Sequence, residues 1–211
     1  MPMQNRAKST RKRLITAAAE ALDAAGDPLG GVDALPGMEL ISRTAGVSKG
    51  ALYYHFRSKE ELLDAVRAEA RESIGSLAAA HSATGRPQTG LRAVRELADA
   101  VAQRLDNDPV CRAGLRLSWP DLLRLPPGET TLEWMESVEA LLAVAAERGE
   151  LHQGVRPREA ASALLVLAVG GMALCESNPG RSRARTASQL WDLVLPLLTD
   201  PVRAPDPEQR P

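Results

Sequence analysis

Apolar residues recur at a helical period along most of the chain, and no stretch shows the alternation of a half-buried strand. Glycine and proline, which end helices, separate the segments in which that period holds. We therefore predict an all-α protein of about nine helices. The longer predicted helices cover residues 11–25, 58–80, 89–105, 108–119, 130–148, 157–175 and 183–198.

Residues 39–59 predict two short helices joined by a tight turn. Gly46 can take the left-handed backbone that ends a helix, and Val47 fits between the two helices. The hydroxyl of Ser48 can cap the second helix, on which Leu52 and Phe56 form the apolar face. This arrangement is typical of a helix-turn-helix, whose second helix presents its N-terminal residues to the major groove of DNA.

The stretch AGVSKGALYYHFRSKEELL resembles the signature of the TetR family of bacterial repressors. Tyr53, His55, Phe56 and Lys59 stand at the matching positions of that signature. The resemblance implies a TetR-like fold, in which a three-helix DNA-binding domain precedes a helical domain for ligand binding and dimerisation. We expect the DNA-binding domain at 1–57, the second domain at 58–200 and a disordered, proline- and charge-rich tail at 201–211.

The resemblance also implies which residues meet DNA. The first residues of the recognition helix are expected at base edges, and the later ones at the sugar-phosphate backbone. Lys49 could donate either to guanine or to phosphate, and Tyr54 could be either a DNA contact or an unengaged surface residue. The predicted DNA-binding residues are Ser48, Lys49, Gly50, Ala51, Tyr53, Tyr54, His55 and Lys59.

Residues 108–119 (DPVCRAGLRLSW) are similar to the corresponding stretch of the γ-butyrolactone receptors of actinomycetes, a subgroup of the same family. In that subgroup a tryptophan at the position of Trp119 covers the bound lactone. We expect an apolar pocket for a small signalling molecule, with Arg112 or Arg116 available to a charged ligand. The predicted ligand-binding residues are Trp119, Leu97, Val101, Leu105, Leu115 and Val138.

The distribution of charge and the last two helices indicate two partners, namely DNA and a second copy of the chain. Residues 1–60 hold nine Lys/Arg against six Asp/Glu, so one end of the chain is basic although the whole carries −1. That asymmetry suits contact with a phosphate backbone. The segments 160–175 and 188–198 are apolar almost all round, and Gly170-Gly171 would admit a neighbouring helix. We predict a homodimer formed through these two helices.

Function follows as a transcriptional repressor that leaves a palindromic operator when a γ-butyrolactone, furan or butenolide binds. The alternative is a regulator of an efflux pump or of antibiotic resistance that answers to a drug-like ligand. The three histidines are scattered, and the sequence carries no phosphate loop, nucleophile elbow or metal-ligand cluster, so we expect neither enzyme activity nor a cofactor or metal.

Location and one irregular segment complete the expectations. The longest apolar run has about sixteen residues, which predicts no membrane span, and the chain is expected in the cytoplasm with reduced cysteines. The connection at residues 26–41 is longer than is usual in the family and holds two prolines and four glycines. Because Met38 stands where a capping hydroxyl is usual, the sequence leaves the start of the second helix open.

Overall fold

The computed structural model describes residues 2–25, 36–83, 90–124, 133–176, 178 and 180–199. Within these ranges the chain forms nine α-helices and one short 3-10 helix, which confirms the all-α prediction. The α-helices are α1 (Pro2–Ala24), α2 (Met38–Thr44), α3 (Lys49–His55), α4 (Lys59–Ala83), α5 (Gly90–Asn107), α6 (Pro109–Arg124), α7 (Glu133–Glu147), α8 (Pro157–Glu176) and α9 (Arg183–Val194).

Three helix bounds differ from the predictions by more than three residues. α1 begins at Pro2 rather than at residue 11, since the basic residues of this segment are good helix formers. α6 continues through Pro120 to Arg124, whereas the predicted helix ends at residue 119. The last predicted helix ends at Val194 and continues as a 3-10 helix, Leu195–Leu198, because Pro196 lacks the N–H of a helical turn.

The chain divides into two compact units. The first comprises Met1–Ile74 and Arg104–Arg124, and in it α1 packs against α2, α3 and α6. Among the residues whose burial the structure describes, its core is aliphatic apart from the ring of Phe56, and Met38 and Val47 pack against it. The largest fully buried side chains of this core are Phe56, Leu14, Ile15, Leu22, Ile41, Leu52, Leu62, Leu63 and Val66.

The second unit comprises Gly75–Gln103 and Leu125–Pro211, and in it α8 packs against both α7 and α9. Arg95 of α5 holds α9, because its guanidinium donates to Asp192 at 2.7 Å and to Ser188 at 2.7 Å. Downstream of α7, an antiparallel bridge joins Leu151 to Thr199. The predicted boundary between residues 57 and 58 stays a prediction, and the predicted tail at 201–211 lies outside the described residues.

One described helix meets the length and composition of a membrane span, namely the Pro157–Cys175 stretch of α8. The apolar run within this stretch covers residues 160–175, the sixteen or so residues that the sequence shows, and the prediction that the chain meets no membrane stays a prediction. A core helix of a soluble protein passes the same test, however, and α8 packs against α7 and α9 within its unit.

Each unit contains one free, buried cysteine. Burial raises the pKa of the Cys111 thiol in the first unit to about 11, and its Sγ lies 3.3 Å from the Asp108 carboxylate. Cys175 in the second unit donates to the hydroxyl of Thr186 at 3.3 Å. Both cysteines therefore serve the packing of the unit in which they lie.

Candidate nucleic-acid interface and ligand-pocket residues

The turn between α2 and α3 has the geometry that the sequence predicts. Gly46 adopts φ +61°, and its N–H bonds to the carbonyl of Arg43 at 2.9 Å, which closes α2. Ser48 is extended, and its hydroxyl accepts the N–H of Ala51 at 3.2 Å, which caps α3. At the other end of the pair, α2 begins at Met38 behind Gly37, without a side-chain cap. The start of α2 that the sequence left open is thereby placed.

Arg13 of α1 locks this turn. Its Nη2 donates to the carbonyl oxygen of Ala45 at 2.5 Å and to that of Gly46 at 3.0 Å. A guanidinium in this position donates hydrogen bonds to carbonyls at the C-terminal end of the helix. Its positive charge also interacts favourably with the negative end of the helix dipole. Arg11 lies over the Phe56 ring, 5.1 Å from its centroid. Two of the basic residues that the sequence suggested for phosphate contact thus also hold the helix-turn-helix together.

The outer face of α3 is open to solvent. Ser48, Lys49 and Gly50 are exposed, and a β-carbon added to Gly50 would meet nothing within 4 Å. Tyr54 is 82% exposed, which leaves its ring available to a partner. The remaining candidates divide between an exposed Tyr53 and the partly buried Ala51, His55 and Lys59. By contrast, Leu52 and Phe56 are buried, as the sequence predicts.

An ion pair joins the two helices of this segment at their exposed side. Lys49, the first residue of α3, donates from Nζ to Oε1 of Glu39 in the first turn of α2 at 2.5 Å. The hydrogen bond and the charge of Lys49 lower the pKa of Glu39, while Glu39 in turn raises the pKa of Lys49. Both groups are therefore charged at neutral pH. Glu39 has no signal of its own in the sequence, because its partner stands ten positions away on another helix.

The start of α4, next to Lys59, is fixed by a reciprocal pair of caps. The N–H of Glu61 donates to the hydroxyl of Ser58 at 3.2 Å, and the Glu61 carboxylate accepts the N–H of Arg57 at 2.7 Å. This is close to a capping box, whose glutamate reaches back to the start of the helix. Lys59 occupies the first turn of a firmly held helix, which is a suitable position for a phosphate contact.

The predicted pocket residues fall in both units. Leu105 and Leu115 are buried in the first unit, and Trp119 belongs to α6 there, although its side chain lies outside the described part of the chain. In the second unit Leu97 and Val138 are buried and Val101 is partly buried. The pocket itself stays a prediction.

Arg112 has a structural task in the first unit. Its Nε and Nη2 donate to Oδ2 of Asp23 at 2.9 and 2.7 Å, and its Nη1 donates to the carbonyls of Leu105 and Asp106 at 2.7 and 3.1 Å. One side chain thus ties α6 to the end of α1 and to the last turn of α5. Arg116 is 5% exposed and lies 3.9 Å from the other Asp23 oxygen.

The outer surface of α8 carries an apolar stripe at helical spacing. Ala163, Val166, Gly170 and Leu174 are all exposed, with Val166 at 67% and Leu174 at 55%. Leu193 and Leu197, after it in the chain, are exposed as well. The two adjacent glycines divide their tasks: a β-carbon on the buried Gly171 would stand 2.8 Å from Leu190, whereas one on Gly170 would meet nothing within 4 Å. Gly171 therefore serves the packing of α9, and Gly170 is the position left open.

Comparison with known proteins places this architecture in a family. A profile of the "Bacterial regulatory proteins, tetR family" matches residues 30–66. The crystal structure of a γ-butyrolactone receptor, an ArpA-like protein, is 30% identical; the alignment covers 88% of this chain and 98% of that one, with a TM-score of 0.64.

Two further relatives are similar over nearly the whole chain. The TetR family protein CprB from Streptomyces coelicolor, solved in complex with its operator sequence, is 30% identical with a TM-score of 0.73, covering 94% of this chain and 92% of that one. The A-factor receptor protein of Streptomyces griseus is 27% identical over 202 residues, which are 95% of this chain and 68% of the relative. The chain therefore belongs to the TetR family of bacterial regulatory proteins, and its similarity within that family extends to the γ-butyrolactone receptors.

Proposed function

We propose that this protein is a ligand-responsive transcriptional repressor of antibiotic or other secondary-metabolite genes. It binds a palindromic operator as a homodimer and leaves it when a small signalling molecule of the γ-butyrolactone, furan or butenolide type binds. The observation that carries the proposal is similarity along almost the whole chain, not along the helix-turn-helix alone, to a γ-butyrolactone receptor and to CprB. The protein acts in the cytoplasm, where its operator is, and has no enzyme activity or cofactor in this role.

On DNA, α3 lies in the major groove and brings Ser48 to Ala51 to the base edges. The open space around Gly50 supports this role, because a helix can approach bases closely only where no side chain stands in the way. Tyr53, Tyr54, His55 and Lys59 contact the sugar-phosphate backbone and fix the register. Residues 1–57 form the DNA-binding domain in this proposal.

Residues 58–200 bind the ligand and form the dimer. Trp119 covers the ligand, and the apolar side chains of Leu97, Val101, Leu105, Leu115 and Val138 line its pocket. The ligand favours a conformation in which the two recognition helices no longer match successive major grooves. Differential affinity of the ligand for the two conformations supplies the free energy of release.

Dimerisation through α8 and α9 is supported by the exposed apolar stripe of α8 and by Leu193 and Leu197. Exposure of such an apolar stripe to water is unfavourable in free energy, and a second copy of the chain that covers the stripe removes this cost. Two recognition helices also read more bases than one, which raises both specificity and affinity.

A gel-shift titration on the DNA upstream of the protein's own gene tests the proposal. We expect a shifted palindromic site, released by one class in a panel of γ-butyrolactones, furans and butenolides. A shift that no member of the panel reverses, but that an antibiotic or efflux substrate does, would replace the signalling ligand by the drug-like one. Absence of any sequence-specific shift on a genomic fragment library would contradict the repressor function itself.

Trp119→Ala tests the pocket. The variant is expected to bind the operator with the affinity of the wild type and to lose release by the active compound, because the indole covers the ligand and does not touch DNA. Gel shift and ligand titration by calorimetry measure the two properties separately. Trp191→Phe is the matched control, because Trp191 is buried in the second unit and lies outside the proposed ligand set; it should keep release. Unchanged release in Trp119→Ala would remove this residue from the pocket.

A further inference from the structure

The Glu39–Lys49 pair lies on the face that the proposed function turns toward DNA. Lys49 opens α3, where base-reading residues are expected, and Glu39 reaches it from the first turn of α2. Their side chains are 67% and 60% exposed. The pair thus stands largely in solvent, next to Ser48 and Gly50 in the chain, and both of those residues are exposed as well.

Stability does not account for this pair. Exposed ion pairs contribute little to stability, because water and salt screen the charges. A carboxylate next to the first lysine of a recognition helix also opposes attraction to phosphate, which is available at every DNA sequence. A pair that adds little stability and weakens sequence-independent binding points to a role in reading bases.

Hydrogen-bonding capacity indicates which base pair fits. A lysine ammonium has three donors, and when Glu39 takes one of them two remain. Guanine presents two adjacent acceptors in the major groove, O6 and N7. The cytosine paired with it presents the N4 amino donor, for which a glutamate carboxylate is a matching acceptor. The donors of Lys49 and the acceptors of Glu39 therefore complement a G·C pair, whereas a phosphate offers acceptors alone and repels the carboxylate.

We infer that Glu39 is a specificity-determining residue, which holds Lys49 toward the base edges so that the two side chains together read one G·C base pair in each half-site. This inference rests on the proposed function, and it decides between the guanine and phosphate contacts that the sequence left open for Lys49. The charged state of both groups at neutral pH agrees with it. Arg43, the other charged neighbour of Glu39, lies on the same helix α2.

Affinity selection from a randomised operator library, followed by sequencing, tests the inference with the full-length dimer. The wild type should require G·C at one position of each half-site. Glu39→Gln should lower the discrimination at that position from about 5- to 100-fold to less than about 3-fold and leave the other positions unchanged. Lys49→Gln should lose its preference at the same position.

A second readout separates reading from simple repulsion. Because Glu39→Gln frees Lys49 for phosphate, binding to non-specific DNA should tighten, and its log–log salt slope should steepen by about 0.9 per subunit. Glu60→Gln, which removes an exposed charge beside Lys59, is the matched control and should keep the full base preference. Equal melting temperatures verify that the surface variants fold.

Two results would overturn the inference while leaving the repressor function intact. One is an unchanged base preference in Glu39→Gln, and the other is loss of preference at different positions in Glu39→Gln and Lys49→Gln. Failure of the wild type to enrich any sequence is a different outcome, because it would contradict the proposed function and this inference with it.

Discussion

Two helical glycines have opposite surroundings, and each environment explains why a side chain is absent. A β-carbon on Gly114 of α6 would overlap that of Ala70 and stand 2.9 Å from the carbonyl oxygen of Val66. Gly114 therefore sets the distance between α6 and α4 in the first unit. Gly50 of α3 has open space instead. No contact within the chain therefore requires a glycine here, and the open space agrees with the proposed approach of α3 to DNA.

Gly114→Ala is expected to destabilise the protein by about 1–3 kcal/mol, because the added methyl forces α4 and α6 apart in a close-packed region. Chemical denaturation measures the change in the free energy of unfolding. Gly50→Ala is the control. Its free energy of unfolding should be unchanged or higher by up to about 1 kcal/mol, because alanine favours a helix. The same variant should bind the operator more weakly. A stable Gly114→Ala protein would show that the two helices can separate without cost.

At the scale of elements, Arg112 binds three helices into one piece of structure. Its side chain is 16% exposed, and it serves a carboxylate at the end of α1 and two carbonyls in the last turn of α5. Both lie among the last four carbonyls of α5, for which a helix supplies no i+4 N–H donor. The arginine therefore supplies the donors that the packing of α1 and α5 against α6 requires.

Removal of this side chain should be costly. We expect Arg112→Ala to lower the free energy of unfolding by roughly 2–4 kcal/mol, because the Asp23 carboxylate and two carbonyls lose their donor in a partly buried place. Thermal and urea unfolding measure the loss. Arg92→Ala, which breaks the exposed pair with Glu96 inside α5, should change stability by less than about 0.5 kcal/mol. Similar losses in both variants would contradict a special role for Arg112.

The sequence predicts local features better than features that depend on distant partners. Gly46 and Ser48 are correctly predicted because a left-handed backbone and a capping hydroxyl are properties of single residues. The continuation of α6 through Pro120 was missed because the packing of α6 against α1, and its close approach to α4 at Gly114, outweigh a local preference. The tasks of Arg13 and Arg112 were missed because their partners stand 32 and 89 positions away.

At the scale of the whole molecule, the exposed apolar stripe of α8 bears on whether the protein is a monomer or a dimer. Val166→Glu should separate the proposed dimer, because a charge in the centre of an apolar interface leaves water without a compensating partner. Light scattering during size-exclusion chromatography measures the mass, and a gel shift should show weaker operator binding. Val144→Glu on α7, at a position 37% exposed, is the control and should remain dimeric. A dimeric Val166→Glu protein would exclude this stripe from the interface.

The reactivity of the two buried thiols can report how often each unit of the native chain opens. A thiol-specific reagent attacks the thiolate, so at pH 8 an enclosed Cys111 with a pKa of about 11 reacts only when the first unit opens. Cys175, enclosed in the second unit, times the opening of that unit in the same sample. Labelling followed by peptide mass spectrometry gives both rates without any engineered probe. If operator DNA slows the labelling of Cys111 more than that of Cys175, the first unit opens independently of the second.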